Sequence, residues 1–120
     1  MLVSDKPKYD LEERMYEFAG DVRKLVKRIL VTDANIEDSR QLIRASGSIG
    51  ANYIEANNAL GKKDFLMRLR ISRKQPKESR LFLRLLDVGD SEERESERAR
   101  WVRESEELAA ILGSIISKSE

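Results

Sequence analysis

The residues with the clearest chemical potential are eight cations, Lys62, Lys63, Arg70, Arg73, Lys74, Lys77, Arg80 and Arg84, gathered between residues 62 and 84. Placed on a helix at about 100° per residue, they line one face. Ammonium and guanidinium groups arrayed this way suit phosphate oxygens, so the segment predicts contact with an RNA or DNA backbone. The same stripe suits a solvated helix, or one that pairs with an acidic neighbour. Residues 62–84 hold nine Lys/Arg against Asp64 and Glu78, whereas residues 85–120 hold five Lys/Arg against ten Asp/Glu, an asymmetry hidden in the overall charge of +1. Both readings stay open at this level. No aromatic residues interleave with the cations in the way that base stacking requires.

Other chemistry has little to work with. The chain has no histidine and no cysteine, which removes the usual general base, the favoured transition-metal ligands and the base half of a nucleophile pair. A di-iron bundle would need inward Glu-x-x-His pairs. The expectation is a protein without catalytic residues, metal or cofactor. Met1 to Tyr9 carries charge and Pro7 where a secretory signal would be apolar, and no segment approaches the ~20 apolar residues of a membrane span. A cytoplasmic protein without a membrane partner is expected.

Four amphipathic helices must position the basic segment, within a single domain of 120 residues. Asp10 and Glu13 read as a capping box opening helix one. Leu11, Met15, Phe18, Val22, Leu25 and Ile29 then recur at spacings of three and four, and the helix is expected to reach about Leu30. Asn35 reads as the N-cap of helix two, with Ile36, Leu42, Ile43, Ile49, Tyr53 and Ala56 as its apolar face. The run Ala45 to Ala51 is almost entirely small, which lets a neighbouring backbone come close. Gly61 separates helices two and three, Gly89 reads as a left-handed stop for helix three, and Asp90 with Glu93 reads as the capping box of helix four. The stripe Trp101, Leu108, Leu112 and Ile115, beside Val102, Ala109 and Ile116, continues almost to the end. Short breaks between long helices predict an all-α, antiparallel up-down-up-down four-helix bundle.

Helix three has more than one apolar side. Phe65, Leu69, Ser72, Pro76 and Leu83 form the expected core stripe, while Met67, Ile71, Phe82 and Leu85 fall roughly opposite. A monomer would leave the second stripe in water, so it predicts a homo-oligomer. Burial of this helix on more than one side within one domain is the alternative. Pro76 removes a helical hydrogen bond and predicts a bend near residues 73–76.

The stretch Arg44-Ala-Ser-Gly-Ser-Ile-Gly-Ala-Asn-Tyr-Ile-Glu-Ala-Asn, then Lys62-Lys-Asp-Phe and Lys77-Glu-Ser-Arg-Leu-Phe-Leu-Arg-Leu-Leu, together with Tyr9-Asp-Leu-Glu-Glu-Arg, resembles the bacterial four-helix-bundle family associated with intervening sequences in 23S ribosomal RNA genes. The resemblance covers nearly the whole chain. It implies a bundle commonly assembled as a homopentamer, with no enzymatic activity assigned. It also implies packing and polar-network roles for Arg44, Ser46, Ser48, Ile49, Asn52 and Glu55. The architecture is similar to that of diversity-generating retroelement accessory proteins, which bind nucleic acid. Two functions follow as expectations: a nucleic-acid-associated oligomeric accessory protein, or a structural, protein-binding scaffold without nucleic acid.

Overall fold

A computed structural model describes residues 7–120, with backbone alone for residues 7–10. The described chain is an all-α four-helix bundle. Its helices are α1 (Pro7–Val26), α2 (Asp33–Asn57), α3 (Lys62–Leu85) and α4 (Glu92–Ser119). Each packs against its sequence neighbours, and α1 also meets α4, which closes the four-sided array. Contacts at the helix ends establish the antiparallel course. The start of α2 lies beside the end of α3, where Asn35 Nδ2 donates to Asp87 O at 2.9 Å. The end of α1 lies beside the start of α4 through the Arg28–Glu97 ion pair.

The inner face of each helix follows alternating spacings of three and four residues. On α1 it is Leu11, Met15, Phe18, Val22 and Leu25, and on α4 Trp101, Ser105, Leu108, Leu112 and Ile116. Phe18 meets Trp101 edge to face, with ring centroids 6.3 Å apart, a favoured geometry for opposed ring quadrupoles. On α3 the inner residues are Leu66, Leu69, Ser72, Pro76, Ser79 and Leu83, while Phe65 is half-buried against the core. Pro76 is buried in a helix that is unbroken from Lys62 to Leu85. In the loop after α3, Leu86 and Val88 turn inward and plug one end of the bundle.

Several boundaries differ from the sequence reading. Helix α1 begins at Pro7, a favoured residue for a first turn because its missing N–H has no helical partner there, so Asp10 is not the cap; its side chain lies outside the described residues. The helix ends at Val26 rather than near Leu30, and Arg28 Nε donates to Lys24 O at 3.1 Å in the closing turn. Thr32, not Asn35, caps α2, its hydroxyl accepting the Asn35 amide at 3.1 Å. This phase turns Asn35 inward and leaves Ile36 46% exposed. Ser91, not Asp90, caps α4, accepting the Arg94 amide at 3.1 Å. Gly89 does take the left-handed conformation, with φ +75, but within the loop. The end of α3 is closed by Arg98, whose guanidinium donates to the carbonyls of Leu83 at 3.2 Å, Arg84 at 3.3 Å and Leu86. A cation there satisfies orphan carbonyls and complements the helix dipole.

The small-residue run on α2 does allow close packing. A Cβ added at Gly50 would lie 3.5 Å from Met15 Cβ, and one at Gly47 would lie 3.4 Å from Arg23 Nη2. Across the opposite interface, Ser72 Oγ donates to Ile49 O at 2.8 Å, joining α3 to the backbone of α2. Gly20, by contrast, would have nothing within 4 Å of an added Cβ. Gly20→Ala is therefore expected to stabilise the fold by about 0.5–1 kcal/mol through helix propensity alone. Urea unfolding followed by circular dichroism checks this, and a lower midpoint would mean that α1 needs a bare backbone at that position.

Candidate nucleic-acid interface

The rotation of α3 between α2 and α4 divides the eight cations. Lys62, Arg73 and Arg80 lie on the flank that meets α4. Arg80 Nε donates to Glu106 Oε2 at 2.6 Å, Lys62 Nζ approaches Glu120 O at 3.4 Å, and Arg73 crosses Gly113, with its Cδ 3.8 Å from the place of a Cβ there. Lys63, Lys74, Lys77 and Arg84 face solvent and make no ion pair with a described residue. Arg70 is exposed at the border, its Nη2 2.7 Å from Glu120 Oε2. The single basic face expected from the wheel is thus an outer strip and an inner flank, because α4 packs along one edge of it.

The outer strip has a regular spacing. Lys63, Arg70, Lys77 and Arg84 stand seven residues apart, two helical turns, so the strip runs for about 31 Å along the outside of α3. The pairs that tie the flank to α4 are exposed. Arg80 and Glu106 have side chains 42% and 49% accessible, and such pairs are worth roughly 0–1 kcal/mol in water. A phosphate could displace Glu120 from Arg70 at little cost.

The predicted oligomer residues also divide. Met67 and Leu85 are 44% and 54% exposed, and Ile71 is half-buried. Phe82 packs against the subunit's own core, since it lies at the edge of the stripe that turns toward α2. Leu81, absent from the sequence reading, is 49% exposed beside them. Its spacing of fourteen from Met67, two heptads, was the available signal.

The residues singled out by resemblance hold α2 to itself and to α3. Ser46 Oγ donates to Ile43 O at 3.2 Å, Ser48 Oγ to Arg44 O at 2.9 Å, and Asn52 Nδ2 to Ser48 O at 3.0 Å. These are bonds to the helix's own carbonyls, a pattern open to short polar side chains. Ile49 is buried and lends its carbonyl to Ser72. Arg44 reaches Glu78 of α3 at 3.3 Å, while Glu55 is exposed.

One other charged cluster is bridging in character. Arg14 of α1 donates to Glu104 of α4 through Nε at 3.1 Å and Nη2 at 2.8 Å, and to Glu107 at 3.1 Å. The hydrogen bonds that it donates to Glu104 hold its pKa above the ordinary arginine value. It therefore remains a permanent cation that ties α1 to α4. Among the described residues, no group of three or more His, Cys, Asp or Glu side chains is placed to hold a metal ion. No described helix is long and apolar enough to cross a membrane.

This bundle has a solved counterpart. The chain is similar to the S23 ribosomal protein family. One matching structure is the 1.70 Å crystal structure of a protein of unknown function from that family, from Bacteroides thetaiotaomicron. The two chains are 28% identical, with a TM-score of 0.73 over 88% of this chain and 97% of that one. No protein-family model and no curated protein matches the sequence. The S23-like fold extends across all four helices rather than a local motif, in line with the breadth of the resemblance read in the sequence.

Proposed function

We propose that the protein is a non-enzymatic, oligomeric accessory protein of the cytoplasm that binds the phosphate backbone of RNA or DNA along the outer strip of α3. The observation that carries this reading is the strip itself: four exposed cations at heptad spacing, three of them without an ion pair among the described residues. The name of the S23 ribosomal protein family agrees with a nucleic-acid setting, as does the resemblance to proteins associated with 23S ribosomal RNA gene intervening sequences. That resemblance also supports a homopentamer. Recognition is expected to depend on phosphate rather than base sequence, because the strip offers cations and neither a groove-reading helix end nor a stacking platform.

The second reading, a structural or protein-binding scaffold, is favoured by Arg80–Glu106 and Arg70–Glu120, which neutralise part of the basic segment within one subunit. A salt titration of binding separates the two. Four phosphate contacts per subunit predict a slope of log affinity against log salt of about −3.6 on duplex DNA and about −2.8 on a single strand. Absence of binding to RNA and DNA at low salt would leave the scaffold reading.

A further inference from the structure

The seam between α3 and α4 carries a second row of cations beside the outer strip, and α4 answers it with carboxylates. Glu106, Gly113 and Glu120 stand seven residues apart on or just past α4, which places them on one face at intervals of about 10.5 Å. Each of the three meets an arginine of α3. Glu106 Oε2 accepts from Arg80 Nε at 2.6 Å, and Glu120 Oε2 accepts from Arg70 Nη2 at 2.7 Å. Between them Arg73 crosses Gly113, where no side chain opposes it: an added Cβ would lie 3.8 Å from Arg73 Cδ and 3.9 Å from Nη1. Arg73 is half-buried and makes no ion pair with a described residue.

The carboxylates of α3 itself are placed differently. Glu78 pairs with Arg44 of α2 at 3.3 Å, and Asp64 is exposed without an ion pair to a described residue. Among the described residues, Glu106 and Glu120 are therefore the anions that sit directly on arginines of the basic face. A guanidinium holds carboxylate and phosphate oxygens with the same N–H donors, so these two side chains occupy the donors a phosphate would use. Both pairs are exposed, hence weak enough to open in water.

We propose that Glu106 and Glu120 form an autoinhibitory contact: they compete with phosphate for Arg80 and Arg70, and so limit how firmly the basic segment holds nucleic acid. This is regulation of the site proposed above and rests on that reading. With both carboxylates in place, contact is confined to the outer strip. Once they are neutralised, Arg80 joins as a further phosphate contact and Arg70 binds without a competitor. Gly113 leaves the carboxylate row incomplete, so Arg73 keeps an uncompensated charge at the middle of the seam.

The test measures affinity for duplex DNA and for RNA against salt. Glu106→Gln with Glu120→Gln removes two charges and keeps side-chain size. Binding at 100 mM salt is expected to tighten between about 3-fold and 25-fold, the range for releasing two exposed pairs, and the duplex slope to steepen by about 0.9 as Arg80 becomes an additional contact. Gly113→Glu completes the row opposite Arg73 and is expected to weaken binding about 3-fold or more, whereas Gly113→Ala leaves affinity unchanged. Both replace glycine with a better helix former, so weaker binding by Gly113→Glu cannot be ascribed to unfolding. Glu12→Gln with Glu13→Gln raises net charge equally from exposed positions on α1, diagonal to α3 in the bundle. That control is expected to change affinity little, because surface charges beyond a Debye length of about 10 Å are screened. No binding at low salt by either wild-type or Glu106→Gln/Glu120→Gln protein would overturn the nucleic-acid reading and this inference with it. Wild-type binding that Glu106→Gln with Glu120→Gln fails to tighten, that Glu12→Gln with Glu13→Gln tightens as much, or that Gly113→Glu leaves intact would overturn the autoinhibitory contact alone.

Discussion

Replacing Asn35 with alanine is expected to cost about 3 kcal/mol of stability, the upper part of the range for a single truncation that orphans buried partners. The amide is 2% exposed and uses both of its ends. Nδ2 donates to Leu30 O at 3.0 Å and to Asp87 O at 2.9 Å, and Oδ1 accepts the Asp87 amide at 2.9 Å. One side chain therefore ties the α1–α2 loop to the α3–α4 loop. Alanine leaves two carbonyls and one N–H without that partner in a region closed by Leu86 and Val88, and desolvated backbone groups account for most of the expected loss. For a domain of this size the melting temperature should fall by about 10 °C. Asn35→Asp is a sharper version, because a carboxylate would face the two carbonyls with no proton to offer, and should be worse than alanine at neutral pH. Chemical unfolding followed at 222 nm measures both. A loss under about 0.5 kcal/mol for alanine would mean that water replaces the amide without cost, and that the clamp is incidental.

Asn35 also shows where a sequence reading of this fold stops. Apolar periodicity marks the inner face of α1 from Leu11 to Leu25, because those positions are large and hydrophobic, although the same pattern runs on to Ile29, past the helix end at Val26. The inner stripe of α2 is Asn35, Ser39, Leu42, Ser46, Ile49, Tyr53 and Ala56, a regular alternation of four and three that a search for apolar residues breaks into fragments. Ile36 and Ile43 then attract the assignment, although nearly half of Ile36 is exposed. The caps fail for a related reason. Thr32, Asp33 and Asn35, and again Asp90 and Ser91, offer several acceptable cap residues side by side, and propensity alone does not choose among them.

The candidate site was legible as composition and not as a surface. The segment from Lys62 to Arg84 is visibly basic, but which of its flanks meets α4 depends on whether the bundle turns left or right after α3. Nothing in a helical wheel encodes that hand. Arg73 and Arg80 were therefore grouped with residues that face solvent, and Phe82 with residues that leave the core. The heptad spacing of Lys63, Arg70, Lys77 and Arg84 was present all along. It gained meaning once the neighbouring helices left that strip uncovered.

Reversing the strip is the experiment with the largest expected effect on function. The variant Lys63→Glu, Arg70→Glu, Lys77→Glu, Arg84→Glu keeps every core residue and alters only exposed positions, so helicity and unfolding midpoint should change little. If each cation meets one duplex phosphate, the slope of about −3.6 means that raising salt from 50 to 200 mM weakens wild-type binding about 150-fold. The reversed variant should lose both the binding measurable at 100 mM salt and the salt response, because four attractions become four repulsions. Arg80→Glu supplies the contrast. It breaks the exposed pair with Glu106 at a cost of roughly 0–1 kcal/mol and leaves the outer strip intact, so binding should weaken only slightly through the longer-range field. Should Arg80→Glu abolish binding while the strip variant retains it, phosphate contact belongs to the α4 flank and the proposed site is misplaced. Should the strip variant bind normally but dissociate as an oligomer, the cations serve assembly and the scaffold reading prevails. The two measurements, affinity against salt and mass by light scattering, are independent. They therefore separate a protein that uses these charges to hold nucleic acid from one that uses them to hold itself.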